Sequence, residues 1–178
     1  AFIKSVRGSD PNAAIYYLAR MLAGGEDPKF IARRLVILAS EDIGLANPNG
    51  LLLANACFET VHKVGMPEAR IPLAEATIYL ATSPKSNSAY LAIDRALKFV
   101  NQDTTNHPVP LHIRNAPTRL MKNLGYGDNY KYAHDYPNHY VHQQYLPTEI
   151  QGEHFYELSE MGYEKTLKEY QNKIKSQS

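Results

Sequence analysis

Helix starts are unusually clear in this sequence, because a short polar residue stands directly before a proline four times within the first 84 positions. An Asp, Asn or Ser side chain can cap the free N–H groups at a helix start. Proline is favoured at the first helical position, since the N–H it lacks is not needed there. The pattern therefore predicts helices that begin at Asp10-Pro11, Asp27-Pro28, Asn47-Pro48 and Ser83-Pro84, with a further helix after the turn at Gly65-Met66-Pro67.

Apolar residues recur at helical spacing after these starts, which predicts one buried face on each helix. We expect these faces to pack together as a single core. The predicted inward positions are Ala14, Ile15, Leu18, Met21 and Leu22; Ile31, Leu35 and Leu38; Leu73, Ala76, Thr77 and Leu80; and Ala89, Ile93, Ala96, Leu97 and Val100.

The character of the chain changes after Gln102, where closely spaced prolines interrupt any helix. We expect a short helix that ends at Leu124-Gly125, a strand at Tyr130–Tyr132 that pairs with His154–Tyr156, and a final helix over about 162–174. The fold class predicted is mainly α: a compact bundle of about five to seven helices, with a C-terminal arm that contains short β elements and a final helix. The predicted division is a helical core over 1–102 and a Tyr/His-rich arm over 103–178 that packs on it.

The composition of the chain limits the classes of function that it can have. The net charge is +1, so the molecule lacks the basic excess of a dedicated nucleic-acid binder, and such binding would need a local patch. The single cysteine, Cys57, excludes an intrachain disulfide, and no apolar run reaches the ~18 residues of a membrane span. We expect a cytoplasmic protein. The start at Ala1, without Met, is typical of an expressed fragment.

The motifs of common enzymes are missing. A phosphate-binding loop needs a Gly-Lys pair followed by Ser or Thr, and no Gly-Lys pair occurs in the sequence. Neither a Gly-x-Ser-x-Gly nor a His-Glu-x-x-His motif is present, and Cys57 lies in an apolar segment, where burial makes a thiol a poor nucleophile. We therefore predict no catalytic or cofactor-binding residue in this chain.

Three histidines in the arm form a weak metal motif. His139 and His142 have a spacing that one helical turn would bring together, and His134 lies nearby. No cysteine or acidic cluster accompanies them. The favoured interpretation is a surface loop without a metal.

A pair of acids, Glu41 and Asp42, lies at the predicted C-terminal end of a helix, where the helix dipole disfavours negative charge by ~0.3–1 kcal/mol per group. A basic side chain from elsewhere in the fold would offset that cost, and the candidate partners are Arg7, Arg33 and Arg114. General acid–base chemistry is the alternative.

The best candidate contact surface combines basic and aromatic residues, which can meet phosphates and stack on unpaired bases. A solvated face, with the tyrosines packed on the core, is an equally acceptable interpretation. The residues of this Arg114 patch are Arg114, Arg119, Lys122, Lys131, Tyr126 and Tyr130.

Several long blocks follow one another along nearly the whole chain. They include Arg7-Gly8-Ser9-Asp10-Pro11-Asn12-Ala13-Ala14, Ala39-Ser40-Glu41-Asp42-Ile43-Gly44-Leu45-Ala46, Ser83-Pro84-Lys85-Ser86-Asn87 and Arg114-Asn115-Ala116-Pro117-Thr118. In this order they resemble the C-terminal region of the AAA+ ATPases called MgsA or RarA. One departure is Leu158, where the resemblance leads us to expect proline.

The resemblance implies a replication-associated recombination protein that acts at stalled forks and is similar to the eukaryotic Werner-helicase-interacting ATPase. It implies a clamp-loader-like ATPase domain upstream, which binds ATP and Mg²⁺, and a nucleoid-associated, cytoplasmic location. The chain itself would form homo-oligomers, most simply a tetramer, through the 1–102 core, and would engage DNA and single-stranded-DNA-binding protein. The alternatives are a monomeric DNA- or protein-binding module and an unrelated enzyme with a histidine-based site.

Overall fold

The computed structural model describes residues 1–177, and within them the protein is built from helices without a strand. Eight α-helices follow one another in these residues, joined by short 3-10 and π-helical turns. They are α1 (Phe2–Arg7), α2 (Pro11–Ala23), α3 (Pro28–Leu38), α4 (Asn49–Val64), α5 (Arg70–Thr82), α6 (Ser88–Gln102), α7 (Arg119–Asn123) and α8 (Tyr163–Ser176). None of these helices is long and apolar enough to cross a bilayer.

Two of the four predicted caps are confirmed. Asp10 Oδ1 accepts a hydrogen bond from the Ala13 N–H at 2.9 Å, and Asp27 Oδ1 accepts one from the Lys29 N–H at 2.9 Å. Each aspartate therefore satisfies an N–H that has no partner inside its own helix.

The other two capping predictions are wrong, although helices follow both sites. The Asn47 side-chain amide donates to Tyr79 Oη at 2.9 Å and to Ser83 Oγ at 3.2 Å, and α4 has no side-chain cap. Ser83 Oγ donates to the Tyr79 carbonyl at 2.6 Å, at the end of α5, and α6 begins only at Ser88. The two polar side chains thus join the start of α4 to the end of α5 instead of capping helices.

The chain divides into two compact units, of which the first contains residues 1–95 and 156–168. Its core confirms the predicted faces of α3 and α5, since Ile31, Leu35, Leu38 and Leu73 are almost completely buried. The six-residue helix α1 was not predicted, yet it contributes the buried side chains of Phe2 and Val6 to the same core.

The predicted inward face of α6 is wrong. No residue of this helix is buried, and Ile93, Leu97 and Val100 are 55%, 52% and 66% exposed. The apolar spacing correctly predicted a helix with one apolar face, but that face stays exposed in the part of the chain that the structure describes.

The second unit contains residues 96–155 and the described chain from Glu169 onward. Its short helix α7 matches the prediction, and Thr118 Oγ1 caps it by accepting from the Met121 N–H at 3.2 Å. The final helix α8, which begins in the first unit, is also confirmed.

The predicted strands in the arm are wrong. The Gln143 side chain accepts from the Lys131 N–H at 3.3 Å and donates to the Lys131 carbonyl at 2.8 Å. A side-chain amide therefore satisfies the backbone of Tyr130–Tyr132 where a neighbouring strand was expected.

Candidate functional site

The most prominent uncovered feature is the face of α6 formed by Ile93, Leu97 and Val100, which we call the α6 face. Residues at spacings of four and three lie on one side of a helix, so these three side chains form a continuous apolar stripe. The opposite side of α6 is used differently: the Phe99 ring packs edge-to-face on the Phe155 ring, with centroids 5.5 Å apart.

Charged residues flank the α6 face on one side. Asp94 and Lys98 are four residues apart, so they lie one turn apart along the same flank of the helix. The negative charge of Asp94, which also accepts a hydrogen bond from the Tyr90 hydroxyl, raises the pKa of Tyr90. An apolar stripe with one acid and one base beside it is a pattern typical of helix–helix interfaces.

In the Arg114 patch, Arg114 is held by its neighbours. Its Nε donates to the Val109 carbonyl at 2.6 Å, and its guanidinium lies 5.0 Å from the centre of the Tyr126 ring. The hydrogen bond and the ring hold the guanidinium in place, so Arg114 presents a fixed positive group.

A groove of about 350 Å³ brings Arg114 and Tyr130 together, and Tyr145 forms another part of its wall. No carboxylate lines this groove. Arg119 and Lys122 lie apart from its lining, exposed on α7. Lys131 lines a second groove of about 540 Å³, to which Asp128 adds a negative charge.

The acids after α3 lie in a π-helical turn over Ala39–Ile43. Among the three candidate cations, Arg7 contacts Asp42, with Nε donating to Oδ1 at 2.8 Å. The hydrogen bond and the charge of Asp42 raise the pKa of Arg7. Arg33 is exposed on α3 and makes no ion pair among the described residues.

Sequence reasoning missed a buried carboxylate, Glu164 of α8. Glu164 accepts hydrogen bonds from Ser86 Oγ at 2.7 Å, from Tyr156 Oη at 2.9 Å and from the Ser159 N–H at 2.9 Å, and a further one from Ser88 Oγ. We call this group the Glu164 cluster. Burial opposes ionisation, but the donors, led by Ser159 and followed by Ser88, Ser86 and Tyr156, outweigh it and lower the pKa of Glu164 to about 2.

The histidine motif does not form a cluster of ligands. The His134 and His139 rings pack edge-to-face with centroids 4.6 Å apart, whereas His142 lies beyond the 3-10 turn Pro137–His139. Within residues 1–177, no three His, Cys, Asp or Glu side chains are arranged to hold a metal ion. A different histidine is held by acids: His107 Nε2 lies 2.6 Å from Asp103 Oδ2, and its Nδ1 lies 3.7 Å from Glu149 Oε2.

The single cysteine is packed in the core. Cys57 Sγ donates to the Pro72 carbonyl at 3.4 Å. Burial, with a smaller effect of Glu75, raises the pKa of the thiol to about 11. Its environment is that of a structural cysteine and not that of a nucleophile.

Comparison with known proteins shows the family of this chain. The profile described as MgsA AAA+ ATPase C terminal matches residues 8–175. Similar proteins include the replication-associated recombination protein A of Bacillus subtilis, 48% identical over 98% of this chain, and that of Haemophilus influenzae, 44% identical over 99%. ATPase WRNIP1 of Dictyostelium discoideum is 46% identical over 88%. The helical fold is that of a C-terminal module of an AAA+ ATPase. The chain belongs to the MgsA family and corresponds to its C-terminal region.

The match covers a minor part of each relative. It spans 41% of the Bacillus subtilis protein, 40% of the Haemophilus influenzae protein and 18% of the Dictyostelium discoideum protein. The sequence contains no Gly-Lys pair of the kind that a phosphate-binding loop uses.

Proposed function

We propose that this chain is the oligomerisation module of a replication-associated recombination ATPase, and that it also engages DNA at stalled forks. The observation that carries the first part is the α6 face, because three large apolar side chains on one helix are each more than half exposed. An exposed apolar stripe of this kind marks an interaction surface.

The charges beside the stripe favour a second copy of the same chain as the partner. In a two-fold, antiparallel pairing of α6 with its copy, Asp94 of one subunit lies opposite Lys98 of the other, and the same pair forms twice. Ile93 then lies close to Val100 of the copy, and Leu97 lies near the centre. A tetramer with two-fold symmetry requires two such interfaces, of which α6 supplies one.

Charge exchange tests this pairing. We expect Asp94→Lys and Lys98→Asp each to weaken self-association, since each places like charges opposite one another, and the double variant to restore it. Sedimentation velocity measures the change. Val109→Asp is the matched control, because Val109 is 51% exposed, close to the 52% of Leu97, but lies outside the helices. Equal weakening by Val109→Asp and Leu97→Asp would contradict an interface centred on α6.

Contact with DNA is the second candidate function. The groove that contains Arg114, Tyr130 and Tyr145 supports it, because a fixed cation and two aromatic rings share a surface without a carboxylate. Such a surface can bind a phosphate and stack an unpaired base. The exposed cations Arg119 and Lys122 would then add phosphate contacts from α7.

Binding of a labelled oligodeoxythymidylate, measured at several salt concentrations, tests the DNA contact. Arg119→Ala with Lys122→Ala should weaken binding and lower the slope of log affinity against log salt by about one per lost phosphate contact. Lys29→Ala with Arg33→Ala removes the same charge from α3 and serves as the control. The absence of any binding at low salt would reject this function.

The chemistry of the parent protein lies elsewhere in this proposal. ATP and Mg²⁺ bind upstream of the matched region, and this chain couples several ATPase domains by holding them together. A purified sample of this chain should therefore hydrolyse no ATP, and hydrolysis that survives repeated purification would contradict that assignment.

A further inference from the structure

The groove of about 540 Å³ in the second unit adjoins the groove that contains Arg114 and Tyr130, which we call the Arg114 groove, because His112 lines both. Side-chain amides are prominent in the larger groove, and we call it the amide groove. They belong to Asn129, Gln143 and Gln144. The lining of the amide groove therefore suits a polar ligand that forms directional hydrogen bonds.

Hydrogen bonds between separate segments of the arm hold the amide groove in shape. His112 Nε2 donates to the Gln144 carbonyl at 2.6 Å. The Gln143 side chain accepts from the Lys131 N–H and donates to the Lys131 carbonyl at 2.8 Å. The segments around residues 112, 131 and 144 are thus joined to one another, so the groove exists before any ligand binds.

The amide groove contains one acid and one base, Asp128 and Lys131. Neither side chain forms an ion pair within residues 1–177. Asp128 Oδ2 lies over Gly125, since a methyl group added to this glycine would be 3.5 Å from that oxygen. Lys131 Nζ lies 3.5 Å from the His142 carbonyl oxygen, which is a long and weak hydrogen bond. A carboxylate and an ammonium group are therefore both available to a ligand in the same groove.

From this arrangement we infer that the amide groove binds an unpaired guanine of a DNA strand whose adjacent phosphate lies in the Arg114 groove. The Watson–Crick edge of guanine has two neighbouring N–H donors, at N1 and N2, beside the acceptor O6. The Asp128 carboxylate can accept from both donors, and the Lys131 ammonium group can donate to O6. The inference rests on the DNA contact proposed above and adds selectivity for one base to it.

The other DNA bases match this pair of charges less well. Adenine and cytosine each have one amino donor next to a ring-nitrogen acceptor, and thymine has one N–H between two carbonyl acceptors. Each of them would turn an acceptor towards the Asp128 carboxylate, which has no proton to donate. The Arg114 groove has no carboxylate and can take the phosphate, so the base and the phosphate have separate places.

Fluorescence anisotropy at low salt, with a labelled oligodeoxythymidylate that carries a single central guanine, tests the inference. We expect this strand to bind at least about fivefold more tightly than strands with adenine, cytosine or thymine at that position. Hypoxanthine in place of guanine lacks the N2 amino group and should lose most of the preference. Because these changes are in the DNA, the comparison does not depend on whether a protein variant folds.

On the protein side, Asp128→Asn should remove the preference for guanine, because an amide has only one acceptor oxygen. Its affinity for the all-thymidine strand should stay within about twofold of that of the unaltered chain, since the phosphate contacts remain. The control is Asp135→Asn, which changes the net charge equally at an exposed residue outside both grooves. This control should retain the preference for guanine.

Four outcomes would overturn the inference. Equal affinity for all the strands would overturn it while the DNA contact itself stands, whereas the absence of binding by every strand would overturn both. A preference for guanine that survives Asp128→Asn would assign the selectivity to another surface. Displacement of the labelled strand by micromolar guanosine monophosphate would assign the groove to a free nucleotide instead of a DNA strand.

Discussion

Ser86 Oγ donates a hydrogen bond of 2.7 Å to Glu164 Oε1, although the two residues are 78 positions apart in the chain. Ser86 lies between α5 and α6, and its N–H donates to the Asp42 carbonyl at 2.8 Å. The start of α8 is therefore joined through one serine to the turn that follows α3. The buried Glu164 carboxylate therefore links these segments of the first unit.

Removal of the carboxylate should destabilise the protein. Glu164→Ala leaves several donors without an acceptor, and buried polar groups without partners cost about 1–3 kcal/mol each, so we expect a loss of about 2–4 kcal/mol in the free energy of unfolding. Urea denaturation followed by circular dichroism measures it. Glu160→Ala is the control, because Glu160 forms an exposed ion pair with Lys168, and its loss should cost much less than the loss of Glu164. Equal costs would contradict the importance of the cluster.

The Glu164 cluster also predicts an acid-dependent loss of stability. The pKa of Glu164 is lowered to about 2, below the value of about 4.3 expected in an unfolded chain. Stability from this group is thus fully present above about pH 4.3 and is lost as the pH falls towards 2. The difference in unfolding free energy between the protein and Glu164→Gln should be constant from pH 6 to 8 and should shrink between pH 5 and 2. A difference that stays constant down to pH 2 would exclude the low pKa.

The ion pair between Arg7 and Asp42 should show measurable coupling. The Arg7 side chain is 47% exposed, so solvent screening limits the interaction, and a double-mutant cycle with Arg7→Ala and Asp42→Asn should give about 0.5–1 kcal/mol. The same cycle with Arg33→Ala in place of Arg7→Ala should be additive within about 0.5 kcal/mol. Equal coupling energies in the two cycles would contradict a specific ion pair between Arg7 and Asp42.

Cys57 should be almost inert in the folded protein. The pKa of its thiol is raised to about 11, so only a minute fraction is thiolate at pH 8, and the side chain is buried. We expect alkylation by iodoacetamide at pH 8 to be at least about tenfold slower in buffer than in denaturant. Cys57 is the only cysteine, so mass spectrometry reports its labelling directly. Equal rates in the two conditions would show an accessible thiol.

Much of the helical fold could be predicted from the sequence, because capping and apolar spacing are local properties. Asp10 and Asp27 illustrate capping, and Leu35 and Leu73 illustrate burial. Spacing identifies an apolar face but does not say what covers it, and this is why Leu97 was expected inside. The strand prediction in the arm was wrong for a similar reason: local sequence does not show which group will satisfy the backbone, and here the Gln143 side chain takes the place of a neighbouring strand.

The candidate site was less predictable. A negative charge at the C-terminal end of a helix requires a cationic partner. The sequence offered three candidates, one of which was Arg7, but it did not rank them. Glu164 gave no such signal, because it stands in a charged helix whose pattern favours exposure. Its donors, such as Ser86 and Tyr156, come from distant segments that only the fold brings together.

We propose that this chain assembles with copies of itself through α6, and sedimentation velocity on the chain over a micromolar concentration range measures that assembly. We expect a species well above the 20.0 kDa of one chain. We also expect Leu97→Asp to shift this species towards the monomer while helix content is retained. A chain that sediments as a strict monomer over the whole range would contradict it.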